Sequence, residues 1–318
     1  MPNPRLPSAP TKQKYIGRFA PSPSGPLHIG SLTCALASFL DARANSGIWQ
    51  VRIEDIDPPR EQTGASASIL NTLGAHQLLW DGSVSYQSKR SDIYKTLLAD
   101  LEQRGLTYRC NCTRKRLATL ASGYDGKCRY LNILANTPSA IRLNIGAASA
   151  TEQSEFVEFN DAIQGKTSQR LAEAGDFIVL RKDNLFSYQL AVVADDIAQN
   201  ITHVMRGSDL LDTTCSQIFL TRLAGHTPPD YAHIPVIRDC RGLKLSKQNH
   251  APGVDANLAQ DNLYRCLHHL KQNPPKALKN ESIDNILKWA IQRWQPSNIP
   301  KCNSVTLEQH FSARPQSN

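Results

Sequence analysis

The sequence lacks any long apolar run. Its 318 residues are 40% hydrophobic and 20% charged, and the mean hydropathy is −0.40. No stretch approaches the roughly 20 consecutive apolar residues that a membrane-spanning helix needs. The N-terminal segment MPNPRLPSAPTKQK is rich in proline and has no apolar core of the kind found in secretory signal peptides. The sequence therefore predicts no membrane helix and no membrane partner, and we expect a cytoplasmic protein with a flexible N-terminal tail.

Cysteine is too sparse for a disulfide-stabilised scaffold. The 8 cysteines are spread over 318 residues, and cytoplasmic thiols are normally reduced, buried or bound to a metal. Three of them, Cys110, Cys112 and Cys128, lie close together in the sequence. Internal repeats are also absent, and no low-complexity tract occurs outside the tail.

Acidic residues are outnumbered by basic ones. The chain has 36 lysines and arginines against 28 aspartates and glutamates, which gives a formal net charge of +8 and a pI near 9.1. This excess suits a polyanionic partner such as nucleic acid, but a basic enzyme with an ordinary solvated surface has the same balance. The positions of the basic residues must distinguish the two.

The first hundred residues alternate between strand and helix patterns. Residues 15–19 predict a strand, and apolar residues recur at helical spacing from Leu32 to Leu40 after a proline-rich loop. The segment WQVRIEDIDPPR then predicts a second strand that ends before Pro58, and a helix follows around residues 65–73. A strand, a helix and a strand in this order predict a parallel sheet.

The pattern changes after Tyr108. AIRLNI and EFVEFND predict antiparallel strands of an inserted subdomain, and the α/β pattern resumes with FIVLRKDNLFSYQLAVVADD. There we expect a hairpin turn at 182–184 and a β run that ends at Asp195 and Asp196. After Gly242 the run LKLSKQNHA predicts a polar loop, and Ile283 to Trp294 predict a helix with one apolar face.

These patterns divide the chain into six segments. They are a tail (1–14), the first half of a Rossmann-type catalytic domain (15–107), an inserted subdomain (108–175), the second half of the catalytic domain (176–242), a loop with a helical region (243–300) and a C-terminal tail (301–318).

The stretch RFAPSPSGPLHIGSL, from Arg18 to Leu32, joins the first strand to its helix. Ligands of open α/β sheets bind beyond the carboxyl ends of the strands, where a helix N-terminus offers N–H groups and a positive dipole end. Gly30 would let a phosphate approach the backbone, and His28 could hydrogen-bond charge that develops on a phosphoryl group. Taken alone, however, such a loop and histidine are ordinary features of a turn before a helix.

The stretch RFAPSPSGPLHIGSL becomes informative when it is combined with a second motif. PSPSGPLHIGSL, combined with KLSKQ at residues 244–248, resembles the paired HIGH and KMSKS signatures of class I aminoacyl-tRNA synthetases in their glutamyl form. The resemblance includes RIEDID, SYQLAVVADD, THVMRGSDLL and AHIPVI, and so covers most of residues 15–250. It implies an α/β fold with a Rossmann-type parallel sheet, an inserted zinc-containing acceptor-binding subdomain and a short C-terminal helical region. Because the chain stops soon after KLSKQ, we expect no anticodon-binding domain.

The resemblance also implies a reaction, the activation of L-glutamate by ATP, with Mg²⁺ accompanying the nucleotide. Arginines suit the carboxylates of glutamate and Glu54 suits its ammonium group, although which arginine holds which carboxylate stays open. The lysines suit the triphosphate. KLSKQ departs from the family string at Leu245 and at Gln248, where a hydroxyl is missing. The implied residues are Arg18, Phe19, Ala20, Pro21, Ser22, Glu54, Tyr188 and Arg206 for glutamate, His28, Gly30 and Lys247 for ATP, and His28, Lys244 and Lys247 for catalysis.

The short members of this family suggest the acceptor. By resemblance to them, we expect the protein to transfer glutamate to queuosine at the wobble position of tRNA(Asp), without needing tRNA for the activation step. We also expect a monomer. Two alternatives remain. One is a truncated glutamyl-tRNA synthetase that charges the tRNA 3′ end, and the other is a catalytically silent RNA-binding paralogue.

The cysteine cluster lies in CNCTRKRLATLASGYDGKC. Three thiolates at this spacing suit one structural zinc ion, which usually takes four ligands. The residue types alone favour Asp125 as the fourth ligand, whereas the resemblance implies Tyr124. Three ordinary buried cysteines are the alternative. The surrounding basic residues predict a grip on an RNA backbone, or else a solvated basic face; they are Arg109, Arg114, Lys115, Arg116, Lys127 and Arg129, with Asp125 as the nearby acid.

Overall fold

The computed structural model describes residues 14–120, 123–152, 155–239, 241–243, 245 and 251–306. The strands are β1 (Ile16–Phe19), β2 (Ile48–Ile53), β3 (Ser85–Tyr86), β4 (Thr107–Cys110), β5 (Ala140–Leu143), β6 (Phe156–Asp161), β7 (Gly165–Arg170), β8 (Ile178–Leu180), β9 (His203–Gly207), β10 (Asp230–Ile234), β11 (Val236–Arg238) and β12 (Ser304–Thr306). The α-helices are α1 (Ile29–Ala44), α2 (Ala65–Ala75), α3 (Ser91–Gln103), α4 (Arg114–Leu117), α5 (Ile145–Glu152), α6 (Leu171–Ala174), α7 (Tyr188–Ala198), α8 (Leu211–Leu223), α9 (Ala259–His269) and α10 (Ile283–Gln292).

The central sheet is parallel and has the strand order β10-β9-β1-β2-β3. The predicted βαβ unit is therefore confirmed, because β1 pairs directly with β2 and helix α1 connects the two strands. The chain runs outward from β1 to β3 on one side of the sheet and from β9 to β10 on the other. The switch point lies between β1 and β9, which is where open α/β sheets bind their ligands.

Two apolar clusters cover the two faces of this sheet. Val204 and Met205 are neighbours on β9, yet they belong to different clusters, as do Tyr231 and Ala232 on β10. Successive side chains of a strand point to opposite faces, so the clusters lie on opposite sides. One contains residues of α1, α9 and α10, and the other contains residues of α3, α7 and α8. The apolar face predicted for residues 283–294 is confirmed, because Ile286 and Ala290 are buried in the first cluster.

The antiparallel strands predicted after Tyr108 are also confirmed. β5 pairs with β4 and β8, and β6 pairs with β7, in each case antiparallel. The tip of the β6–β7 hairpin reaches the central sheet, where the Ala162 N–H donates to the Tyr231 carbonyl at 2.9 Å. The turn predicted at 182–184 is present, with the Arg181 N–H donating to the Leu185 carbonyl at 2.8 Å.

The β run predicted to end at Asp195 and Asp196 is wrong, because these residues lie on helix α7. Ser187 caps this helix, its side chain accepting from the Leu190 N–H at 3.3 Å. Residues 190–196 are all buried, so the helix lacks the polar face that gives an amphipathic pattern. Its adjacent valines also favour a strand when residue preference alone is considered. Among the described helices, none has both the length and the apolar character to cross a membrane.

Candidate active site

His28 forms the N-terminal cap of α1. Its Nδ1 accepts a hydrogen bond from the Ser31 N–H at 3.2 Å, and the Ser31 hydroxyl oxygen accepts from the His28 N–H at 2.9 Å. Because Nδ1 is an acceptor here, the neutral ring carries its proton on Nε2, which becomes a hydrogen-bond donor. This reciprocal cap fixes the position of the ring and its tautomer together.

A cavity of about 390 Å³, which we call the helix-end cavity, lies at the switch point of the sheet. Phe19 at the end of β1 and Gly207 at the end of β9 both line it. A Cβ atom on Gly30 would lie 3.1 Å from the His28 ring, so glycine at this position leaves room for the imidazole. The sequence-predicted residues that line the cavity are Phe19, Pro21, Ser22, His28 and Gly30.

Lys244 and Lys247 lie outside the described residues, but the chain on both sides of them is described. The Leu245 N–H donates to the Ile237 carbonyl at 2.9 Å, and Leu245 lines the helix-end cavity. Further along, Gly253 pairs with His28, and the Val254 N–H donates to the Leu27 carbonyl at 2.8 Å. The described residues Leu245, Gly253 and Val254 are therefore each paired with a residue that lines the helix-end cavity.

A second cavity, of about 450 Å³, contains Glu54 and Tyr188 in its wall, and we call it the Glu54 cavity. Ser22 and Ser24 line both cavities, so the cavities meet at the loop that follows β1. Two ligands, one in each cavity, would both contact this loop. Ala20 lines neither cavity.

Glu54 has a buried carboxyl group. Its residue is 9% exposed, and Oε1 accepts no hydrogen bond from the part of the chain that the structure describes. Burial raises the pKa of Glu54 to about 7, despite the opposing effects of Arg52 and Arg18. A ligand ammonium group would satisfy this oxygen and favour the ionised carboxylate.

Arg52 lies behind Glu54 and is fully buried. Its Nη2 lies 2.8 Å from Asp196 Oδ1 and 3.7 Å from Glu54 Oε1, and its Nε lies 3.6 Å from Asp195 Oδ2. Asp196 also accepts two hydrogen bonds of 3.4 Å from Arg18. Burial acts to raise the pKa of Asp196, but Arg18 and Arg52 bring it below the usual range. Asp196 is thus ionised and joins the two arginines.

Arg206 belongs to another buried group. Its Nη1 donates to the Tyr188 hydroxyl at 3.4 Å, and its Nε donates to His233 Nε2 at 3.0 Å. His233 in turn lies 2.6 Å from Asp161, measured from Nδ1 to Oδ2. Arg18 and Arg206 line neither cavity. Arg206 contacts the wall of the Glu54 cavity through its hydrogen bond to Tyr188. Arg18 contacts Asp196, which lies behind that wall.

The structure brings the cysteine cluster together. The sulfur atoms of Cys110, Cys112 and Cys128 all lie within 4.8 Å of one another, and those of Cys112 and Cys128 are 3.5 Å apart. Tetrahedral zinc with bonds of about 2.3 Å spaces its sulfur ligands by about 3.8 Å. The Tyr124 hydroxyl lies 3.4 Å from the Cys110 sulfur and 3.5 Å from that of Cys112. Asp125 instead pairs with Arg116. The three cysteines could hold a metal ion, and the Tyr124 hydroxyl lies next to two of their sulfur atoms.

Part of the basic cluster is neutralised inside the protein. Arg129 donates to the buried Asp176 at 2.7 to 3.1 Å, and Arg116 pairs with Asp125. Asp176 was not recognised in the sequence because it lies 47 residues from Arg129. Arg114, Lys115 and Lys127 are exposed and keep their charge at the surface.

Sequence reasoning missed several residues of this site. Arg52 lies between the buried residues Val51 and Ile53, so strand alternation would place it on the solvent side. The pair Asp195 and Asp196 in an otherwise apolar segment was a usable signal, because buried carboxylates need partners. Asp161 and His233 gave no local signal, since they meet only in the fold.

The raised pKa of Glu54 predicts a specific dependence of stability on pH. The unfolded chain releases this proton near pH 4.5 and the folded protein near pH 7, so the stabilisation is present below the first value and is lost as pH rises through the second. Glu54→Gln removes the ionisation. We expect the free energy of unfolding of the wild type, relative to Glu54→Gln, to fall by roughly 2 to 3 kcal/mol between pH 5 and 8.

Urea unfolding at a series of pH values measures this difference. The exposed Glu102→Gln variant is the matched control and should show no comparable trend. A constant difference between the wild type and Glu54→Gln over this pH range would contradict the raised pKa.

Comparison with known proteins agrees with this geometry. Residues 16–268 match the family model "tRNA synthetases class I (E and Q), catalytic domain". Curated relatives named glutamyl-Q tRNA(Asp) synthetase include those of Serratia proteamaculans, 44% identical over 95% of this chain and 97% of the relative, and Photobacterium profundum, 45% identical over 93% and 94%. The structure of a glutamate tRNA ligase from Elizabethkingia meningosepticum has a similar fold, with a TM-score of 0.77 at 23% identity over 94% of this chain and 68% of that one. The chain therefore belongs to the class I tRNA synthetases of the E and Q type, among which it is a relative of the glutamyl-Q tRNA(Asp) synthetases.

Proposed function

We propose that the protein activates L-glutamate with ATP and transfers it to queuosine in tRNA(Asp). The observation that carries this proposal is the meeting of two cavities at Ser22 and Ser24, one lined by His28 and the other by Glu54. The names of the curated relatives support the choice of substrates. The protein would thus be an ATP-dependent ligase.

The two cavities divide the substrates between them. Glutamate binds in the Glu54 cavity, where its ammonium group pairs with Glu54. Tyr188 faces the bound glutamate, and Arg206 supports Tyr188 from behind. ATP, accompanied by Mg²⁺, binds in the helix-end cavity above the N-terminus of α1, which favours phosphate. The glutamate carboxylate attacks the α-phosphorus, and pyrophosphate leaves. Positioning and charge stabilisation supply the rate enhancement, because no covalent nucleophile is needed.

His28, Lys244 and Lys247 stabilise the charge that develops on the phosphates. The reciprocal cap on α1 supports this role for His28, because Nδ1 is the acceptor in the cap and Nε2 is therefore a hydrogen-bond donor. For the lysines, the support is the position of Leu245 between them in the sequence and in the wall of the helix-end cavity. Both lysines would act on the leaving pyrophosphate.

A metal ion at the cysteine cluster would be structural zinc, held by Cys110, Cys112, Tyr124 and Cys128. The sulfur spacing and the cationic surroundings support this, since Arg116 donates to the Cys112 sulfur at 3.3 Å and Arg142 lies 3.9 Å from the centre of the Tyr124 ring. Such cations offset the negative charge of a thiolate site. The metal would cross-link the segment that carries the exposed Arg114, Lys115 and Lys127.

This basic segment is the proposed tRNA-binding surface. Exposed lysines and arginines neutralise phosphates without regard to sequence. Tyr130 follows Lys127 by three residues and is 89% exposed, which suits stacking on an unpaired base of an RNA loop. An anticodon loop combines unpaired bases with a phosphate backbone, and it carries the queuosine acceptor.

Glutamate-dependent exchange of pyrophosphate into ATP, measured without RNA, tests the activation step. We expect exchange in the wild type and a loss of about 10²-fold or more in Lys247→Ala, because one preorganised charge on a transition state contributes several kcal/mol. Lys276→Ala, at an exposed position, is the control and should retain activity. Exchange at the wild-type rate in Lys247→Ala would remove this lysine from the mechanism.

The metal site makes a separate prediction. Cys128→Ser should lower both the zinc content of the purified protein and its thermal midpoint, because binding free energy at a structural metal contributes to folding. Cys302→Ser changes a thiol outside the cluster and should keep the metal. Metal analysis would contradict the proposal if freshly purified wild-type protein contained no zinc.

The acceptor is tested with two altered tRNA samples, labelled glutamate and ATP. We expect label on queuosine-containing tRNA(Asp) that lacks its 3′ terminal adenosine, and none on intact tRNA from cells that cannot make queuosine. The reverse pattern would indicate a synthetase that charges the 3′ end. If neither sample is labelled, and intact tRNA(Asp) that contains queuosine is also unlabelled, transfer to tRNA is rejected altogether.

A further inference from the structure

A buried chain of hydrogen bonds connects the tip of the β6–β7 hairpin to Arg206. Asp161, His233 and Arg206 are 2%, 0% and 4% exposed, respectively. The distance from Asp161 Oδ2 to His233 Nδ1 is 2.6 Å, and the distance from His233 Nε2 to Arg206 Nε is 3.0 Å. Both links are therefore shielded from solvent, and a wrongly placed proton is costly in such a buried site.

The bonds of Asp161 determine where the proton on His233 lies. Asp161 Oδ1 accepts from the N–H groups of Ile163, Gln164 and His233 at 3.0, 2.8 and 3.1 Å. Burial acts to raise the pKa of Asp161, but the bonds from His233 and the backbone bring it below the usual range. Oδ2 of the ionised carboxylate thus accepts from a protonated Nδ1. Burial lowers the pKa of His233, so Nε2 has no proton and can accept.

Arg206 uses this acceptor to fix one edge of its guanidinium group. The Arg206 Nε–H donates to His233 Nε2, and Nη2 donates to the Thr214 hydroxyl at 2.8 Å. Since the group is planar, these two bonds fix the direction of Nη1. Nη1 faces the Tyr188 hydroxyl at 3.4 Å, in the wall of the Glu54 cavity.

We propose that Asp161 and His233 are positioning residues for glutamate binding, with Asp161 selecting the His233 tautomer that holds Arg206. This inference rests on the proposed function, because it takes glutamate as the ligand of the Glu54 cavity. It assigns Asp161, on the β6–β7 hairpin, a part in the site on the central sheet. A network that served stability alone would give the same contacts, so the test must separate substrate affinity from folding.

Asp161→Asn is the first test. The amide oxygen of asparagine can keep the backbone bonds, but its N–H₂ group would donate to His233 Nδ1. The histidine proton would then move to Nε2, where it would face the Arg206 Nε–H, and the hydrogen bond between these two atoms would be lost. In the exchange assay without RNA, we expect the KM for glutamate to rise about tenfold or more, because a hydrogen bond to a charged group is lost. The KM for ATP should change by less than about twofold. Asp284→Asn, at an exposed position on α10, is the matched control.

Variants of His233 make the test independent of the folding of Asp161→Asn. Glutamine can place its amide oxygen near the position of Nε2 and accept from Arg206, whereas the shorter asparagine cannot. We expect His233→Gln to keep a KM for glutamate close to that of the wild type and His233→Asn to raise it. Glutamine has no tautomers, so Asp161→Asn should have little further effect in the His233→Gln background. This double-mutant cycle distinguishes tautomer control from general damage.

The outcomes separate this inference from the function on which it rests. Wild-type protein without glutamate-dependent exchange would overturn both. Active wild-type protein, with an unchanged KM for glutamate in Asp161→Asn and in His233→Asn, would overturn the positioning role alone. If Asp161→Asn raised the KM for glutamate equally in the wild-type and His233→Gln backgrounds, the control of the His233 tautomer by Asp161 would be overturned.

Discussion

The site depends on the burial of one cation, the guanidinium group of Arg52. Removing a charge from water costs several kcal/mol, and the cost is offset only when partners of opposite charge surround it. Asp195, Asp196 and Glu54 supply those charges. They come from α7 and from the end of β2, and Asp196 also holds Arg18 on β1. One buried ion group therefore fixes β1, β2 and α7 relative to one another, behind the part of the Glu54 cavity wall that Glu54 and Tyr188 form.

Much of the fold could be predicted because its elements have local signals. The βαβ unit follows from helical spacing between two strands, and the antiparallel insertion follows from alternation and turn residues. Helix α7 has a capping serine but no helical spacing of apolar residues, since residues 190–196 are buried on every side. Apolar burial all around a short segment gives a helix and a strand the same pattern, and only packing against α3 and α8 decides between them.

The site divides in the same way. The resemblance indicated Glu54, Tyr188 and His28, and the structure places each of them in a cavity wall. It gave no reason to select Arg52, Asp161 or His233, because their chemistry arises from contacts between distant parts of the chain. Asp161 and His233 are 72 residues apart. Lys244 and Lys247 stay predictions from the motif, since they lie outside the described residues.

The hairpin tip has a consequence for the way the protein opens. Asp161 caps the turn of the hairpin and also receives the backbone N–H and the ring of His233 from β10. The tip cannot separate from the sheet without breaking both bonds between Asp161 and His233, and the buried His233 Nδ1–H would then lose its acceptor, which is costly in a low dielectric. The hairpin and β10 should therefore belong to a single cooperative unfolding unit, although a parallel catalytic sheet and an antiparallel insertion would otherwise be expected to open as independent foldons.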